Sequence, residues 1–258
     1  MATRFLSLWF PRFGAERWLR LGACPVGQPL VTVAGTGMGD RIQGVSAAAS
    51  AVGIEGAMSL GEAFAAYPAL TVLPADGEAE TDLLRALARA ARMSGWDVVP
   101  DPPDGLEIAL DVQDPEEEGA RIAQALTAAS AAGFSARPGM ADTAPGARAL
   151  ARFGTAGRGG LGRIAARGRT KEALSPLPVE ALRLAPASLR RLERLGVRRI
   201  GEIADWPDPA VRRYLGADVA DRLRDALGRA PDVLDTGAWG DGVVPFAAAG
   251  LRLDRRLA

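Results

Sequence analysis

At 258 residues and 48% hydrophobic composition, the chain has room for one large domain or two smaller ones around a sizeable core. It contains no histidine, which excludes Ser-His-Asp and Cys-His catalysis and histidine-ligated metals, and its single cysteine, Cys24, cannot form an internal disulfide. Its 31 basic and 31 acidic residues cancel overall, but not locally: residues 1–147 hold 10 Arg against 18 Asp/Glu, a net of −8, whereas residues 148–230 hold 17 Arg and Lys171 against 9 Asp/Glu, a net of +9. That asymmetry points to a polyanionic partner for the later region, or to a solvated Arg-rich helical surface.

The first predicted element is a buried strand in "RFLSLWF" (4–10), ended by Pro11. A second strand is expected in "QPLVTVAG" (28–35), then a small-residue helix over 44–53. "SLGEAFAAYP" (59–68) carries a capping box, Ser59 with Glu62, and stops at Pro68. A short strand follows at 69–74 and an amphipathic helix at 80–95.

"LEIALDV" (106–112) alternates strictly, with Leu106, Ile108, Leu110 and Val112 on one face and Glu107, Ala109 and Asp111 on the other. "DPEEEGARIAQALTAASAAG" signals a helix with Asp114 as cap, Pro115 first and acids in its first turn. A strand in "FSARPGMA" and a helix in "DTAPGARALARFG" complete an α+β domain. Residues 154–170, Gly- and Arg-rich, read as a mobile connection; their glycines fit no phosphate-binding loop. From 177 to 230 the pattern is helical only, including helices in "PASLRRLERLG" and "RRIGEIADW" on either side of Gly196 and Val197. Residues 231–258 read as a tail. Trp9, Trp18, Trp96 and Trp206 are expected in the core, and with Trp239 they do not form a stacking platform.

The order of these motifs resembles the Y-family translesion DNA polymerases. "GVSAAASAVGIEGAMSLGEAFAAYPALTVLPAD" resembles their fingers, "LDV" a palm strand, "SARPGMADTAPGARALARF" the segment following it, and "LPVEALRLAPASLRRLERLGVRRIGEIADWP" the thumb with its helix-hairpin-helix. The resemblance covers about residues 4–230. It implies a palm over 1–170 with fingers inserted at about 26–75, a helical thumb at 175–230, and no room for the family's little-finger domain in the 231–258 tail.

The same resemblance locates the family's chemistry. Nucleotidyl transfer there needs two Mg²⁺ on clustered carboxylates. The matching positions are Ser7, Trp9 and Leu106, all lost, with Glu107 as a possible remnant and Asp111 as a structural acid. The triphosphate clamp falls on Ala47, Ser50 and Ala144, with Arg148 retaining a charge, and the aromatic that excludes ribonucleotides falls near Arg12. No metal or other cofactor is therefore expected. Lacking the first-strand acids, the chain is similar to the ImuB-type branch, which has no intact polymerase site.

In the thumb, "LAPAS" (184–188) replaces the Gly-rich hairpin, and Pro186 removes one backbone donor. DNA contact is therefore expected from Arg190, Arg191, Arg194, Arg198 and Arg199, unless Glu193 and Glu202 neutralise them.

The expected role is a non-catalytic adaptor in error-prone translesion synthesis. By resemblance its partners are DNA, an ImuA-like RecA-fold protein and an error-prone replicative-type polymerase. A sliding clamp joins them only if a C-terminal segment exists, "GLRLDRRL" (250–257) being a faint echo of a clamp peptide. No membrane partner and a cytoplasmic location are expected. Two alternatives stay open: an active polymerase with acids from elsewhere, such as Glu16 with Glu107, and a protein-interaction domain without DNA binding.

Overall fold

The computed structural model describes residues 3–35, 37–155 and 163–229. Its main sheet is antiparallel, in the order β5 (Asp97–Asp101), β6 (Gly105–Leu110), β1 (Arg4–Trp9), β7 (Arg137–Ala141). As a central strand, β1 is buried on both faces. Leu6, Leu8 and Phe10 join Leu106, Ile108 and Leu110 beneath two long helices, α4 (Gly77–Met93) and α5 (Pro115–Ala131). Asp76 and Asp114 cap these helices by accepting the amides of Ala79 and Glu117.

The opposite face, with Phe5, Ser7 and Glu107, is crossed by α6 (Ala144–Phe153). Gly139 on β7 makes this approach possible. A Cβ there would lie 2.3 Å from the carbonyl oxygen of Ala147 and from the amide of Ala151, so any side chain would force the helix off the sheet.

A smaller sheet, ordered β3 (Ile42–Val45), β2 (Leu30–Val33), β4 (Thr71–Pro74), packs with α2 (Ala47–Ala51) and α3 (Leu60–Ala66) around Val31, Ile42, Ile54 and Leu60. The capping box of Ser59 and Glu62 is formed as expected. The helix expected over 44–53 is instead the end of a strand followed by one short helix. Ser46 makes the break: its amide donates to Leu30, and its hydroxyl accepts from both Leu30 and Ala49. One side chain thus ends the strand and caps the helix. Between β1 and this sheet lies α1 (Phe13–Arg20).

The later region contains α7 (Thr170–Leu174), α8 (Pro186–Arg194), α9 (Asp208–Tyr214) and α10 (Ala217–Ala226), with 3-10 turns at Val179–Leu182 and Ile200–Glu202. The second turn replaces the helix expected in "RRIGEIADW". Its amides bond across the chain instead of along it: Ile200 to Leu177 and Gly201 to Ser175, while Val179 donates to Arg198. Trp206, expected in the core, is 37% exposed; Trp9, Trp18 and Trp96 are half-buried. The apolar interior of this module (Leu192, Ile200, Val211, Leu223) is continuous with Phe5, Ala141 and Leu150 of the sheet and α6.

Within the Gly- and Arg-rich connection, 156–162 lies outside the described residues. Its later part is docked: Ile164 bridges to Met140, and the Ala165 amide donates to the Met140 carbonyl. Arg4, fully buried, clamps this end. It reaches Glu118 at 3.0 Å, Asp142 at 2.6 Å and the Ala165 carbonyl at 2.5 Å. Arg167 adds a second bond to Glu118 at 3.0 Å. Among the described residues no helix is long and apolar enough to cross a membrane. Trp239, the 231–258 tail and "GLRLDRRL" lie outside the described residues.

Candidate nucleic-acid interface and the altered catalytic face

The sheet register brings Ser7 of β1 opposite Glu107 of β6 and Gly139 of β7. Ser7 is fully buried under α6, and among the described residues its hydroxyl has no partner. Trp9, two residues on, donates its indole N–H to Asp104 at 2.8 Å. Leu106 points into the opposite core, beneath α4 and α5. Leu106 and Glu107 are neighbours on one strand and therefore face opposite ways, so only Glu107 shares the Ser7 face.

Glu107 is engaged by Arg148 of α6 at 3.0 Å. Around this pair lies a cluster that sequence reasoning missed. Asp101, at the end of β5 and 5% exposed, accepts Arg152 at 3.0 Å and lies 3.7 Å from Arg148. It also accepts Nη2 of Arg183 at 3.0 Å. Arg183 comes from the helical module, where it closes the first 3-10 turn in a left-handed conformation at φ 52°. Arg152 bonds Asp104 as well, at 2.8 Å. Three guanidinium groups thus face three carboxylates on the sheet face that holds Ser7. Burial pushes Arg148 below the ordinary arginine pKa, while Glu107 and Asp101 act against that shift.

The other predicted positions lie apart from this cluster. Ala144 is buried in the core at the start of α6, and Ala47 and Ser50 sit on α2. Glu16 on α1 accepts the Ser135 amide at 3.0 Å and its hydroxyl at 2.5 Å, so it does not join Glu107. Asp111, expected as a structural acid, is exposed beyond the end of β6. A cleft of about 230 Å³ between the two sheets is lined by Phe10, Phe13, Thr32, Gly44, Glu80 and Asp104, among others. Burial raises the Glu80 carboxyl above the ordinary glutamate range.

In the helical module, Arg190, Arg191, Arg194, Arg198 and Arg199 are all exposed. Among the described residues none of their side chains joins an ion pair or hydrogen bond. Glu202, the expected partner, accepts the backbone amide of Arg198 at 2.9 Å instead. The turn before α8 is closed to anions. Its Ala185 amide donates to Asp218 at 3.0 Å, and the Ser188 hydroxyl donates to the same carboxylate at 2.7 Å. These bonds, Ser188 first, hold Asp218 below the usual carboxylate range.

No protein-family model matches the chain. Solved structures share its fold. A crystal structure of DinB from Sulfolobus solfataricus superposes with a TM-score of 0.60 at 16% identity, covering 90% of this chain and 68% of that one. An insertion ternary complex of Dbh DNA polymerase gives 0.63 at 16% identity, covering 90% and 69%. The fold is that of the Y-family DNA polymerases. Among curated proteins, protein ImuB of Caulobacter vibrioides strain NA1000 / CB15N is 34% identical over 177 residues, and its counterpart in strain ATCC 19089 matches equally. Over that span, 67% of this chain, the sequence is similar to ImuB. The matched segment is 37% of the length of the ImuB proteins.

Set on the Y-family fold, the geometry does not fit the divalent cations that nucleotidyl transfer requires. Ser7 offers a buried hydroxyl, Trp9 an indole, Leu106 nothing on this face, and Glu107 is held by a guanidinium. Among the described residues, no group of three acidic, histidine or cysteine side chains is arranged to hold a metal. In this chain arginine–carboxylate pairs fill the face instead.

Proposed function

We propose that this chain is a non-catalytic, Y-family-like adaptor in damage-induced, error-prone translesion synthesis. The observation that carries this reading is the arginine cluster on the Ser7 face. Arg148, Arg152 and Arg183 bring positive charge to the carboxylates there, where a polymerase would use metal ions. The likeness to ImuB supports the mutagenesis role. DNA docking is assigned to Arg190, Arg191, Arg194, Arg198 and Arg199, exposed and, among the described residues, free of internal partners. With the Ala185 amide bound to Asp218, this contact is electrostatic, made by side chains rather than backbone N–H groups. An ImuA-like RecA-fold protein and an error-prone replicative-type polymerase are the proposed protein partners, with a sliding clamp if a C-terminal segment supplies the peptide.

Primer extension tests the central claim. With Mg²⁺ or Mn²⁺ the protein is expected to add no nucleotide above background. Incorporation that is abolished by Glu107→Ala would overturn the reading.

A further inference from the structure

We propose that Arg12, Arg137 and Arg163 form a second seat for a nucleic-acid backbone, on the palm beside Trp9. This rests on the DNA-docking reading above and adds a site that the thumb arginines do not provide. The sheet register places Arg137 directly across from Trp9, with its guanidinium 5.2 Å from the centre of the indole ring. Arg12 follows Trp9 by three residues, at the start of α1. Arg163 precedes the bridge from Ile164 to Met140, which holds it against the same strand, β7. Its Nε donates to the Gly154 carbonyl at 2.9 Å. Three guanidinium groups therefore gather at one corner of the sheet.

Unlike five other arginines of the palm, and like Arg20, Arg89, Arg92 and Arg121, they have no counter-charge among the described residues; unlike those four, they gather at one corner. Arg4, Arg17, Arg148, Arg152 and Arg167 all form ion pairs. Among the described residues, Arg12, Arg137 and Arg163 form none. Asp104, the acid on Trp9, is already held by the indole and by Arg152. Burial, and after it the charges of Arg163 and Arg12, lower the Arg137 pKa. Like charges held together without an internal partner cost stability, and an external polyanion removes that cost. Trp9 keeps Arg137 in place by a cation–π contact. A phosphodiester strand suits the corner because successive phosphates can meet separate guanidinium groups.

The test is fluorescence anisotropy on the full chain with a labelled primer–template bearing a single-stranded overhang, over a salt series. The Arg12→Ala/Arg137→Ala/Arg163→Ala variant is expected to bind at least ~10-fold more weakly at low salt. Its log–log salt slope should fall by about 2, at roughly 0.7 per lost phosphate contact. The triple lysine variant should restore most of the affinity. Because Arg12 and Arg163 are half-buried, Arg137→Glu at the exposed member serves as a second variant, and thermal unfolding checks folding. Unchanged affinity and slope in folded variants, with binding lost on Arg190/Arg191/Arg194→Ala, would overturn the palm seat alone and leave an acidic protein as the corner's partner. No binding by the unaltered protein at low salt would overturn both the palm seat and the DNA-docking reading.

Discussion

The Ser7 face of the main sheet and the α8 region use arginine in opposite ways. On the Ser7 face Arg148 and Arg152 are mostly buried, and each guanidinium meets a carboxylate within 3.0 Å. On α8 and the loop after it, five arginines stand in solvent with no partner among the described residues. Buried charge must be paired, because taking an ion out of water costs several kcal/mol. Exposed charge costs little alone and sets the field that a polyanion meets. Arg148 and Arg152 therefore belong to the fold and the five arginines at α8 to its surface. Arg183 joins the two regions: it belongs to the helical module by sequence and to the Ser7 face by contact.

The contrast is tested most severely at Asp101. Asp101→Ala removes the carboxylate that faces Arg148, Arg152 and Arg183, so a loss of about 3–5 kcal/mol is expected. That corresponds to a fall of about 6–20 °C in the thermal midpoint. A change below about 1 kcal/mol would show that the cluster is solvated rather than structural. Next in size is the module: Arg190/Arg191/Arg194→Ala should leave unfolding within about 0.5 kcal/mol of the unaltered protein while weakening DNA binding severalfold. A large stability loss there would erase the distinction between the two regions.

The smallest effect concerns Glu80. Its folded pKa lies above the ordinary glutamate value, so its charged form is the costly one. The cost is present at pH above the folded pKa and fades as pH falls toward the ordinary range. Glu80→Gln should raise the midpoint by about 2 °C or less at neutral pH. Below the ordinary glutamate range the difference should vanish. Melting curves at stepped pH decide this, and a destabilised variant at neutral pH would contradict it.

Much of the fold was legible because it rests on local signals. Asp114 before Pro115 and Ser59 before Glu62 announce helix starts through short-range bonds, and these form. The alternation of Leu106, Ile108 and Leu110 was equally clear, and those residues line one core. Errors arose where the deciding partner is distant. Ser46 ends a strand because Leu30, 16 residues earlier, bonds to it. The turn at Ile200 is set by amide bonds to Leu177 and Ser175. The Ser7 face was marked in sequence only by the expectation, from resemblance, of missing acids at Ser7, Trp9 and Leu106. What fills it was not, since Arg183 and Asp101 are 82 residues apart and neither belongs to a periodic pattern. The regional charge imbalance gave the one hint of the module's free arginines, and it did not show which acids would leave them unpaired.

The close packing of α6 over Gly139 and Ser7 has a consequence for how this protein can change over generations. A carboxylate restored at position 7 would arrive beneath a helix, in a space closed to water, with no bonding partner waiting for it. It would become useful only after Arg148 had released Glu107 and the aromatic ring at position 9 had given way to an acid. Each of those steps taken alone strands a charge. On the proposed non-catalytic reading, a route to a metal-holding face thus passes through intermediates worse than either end.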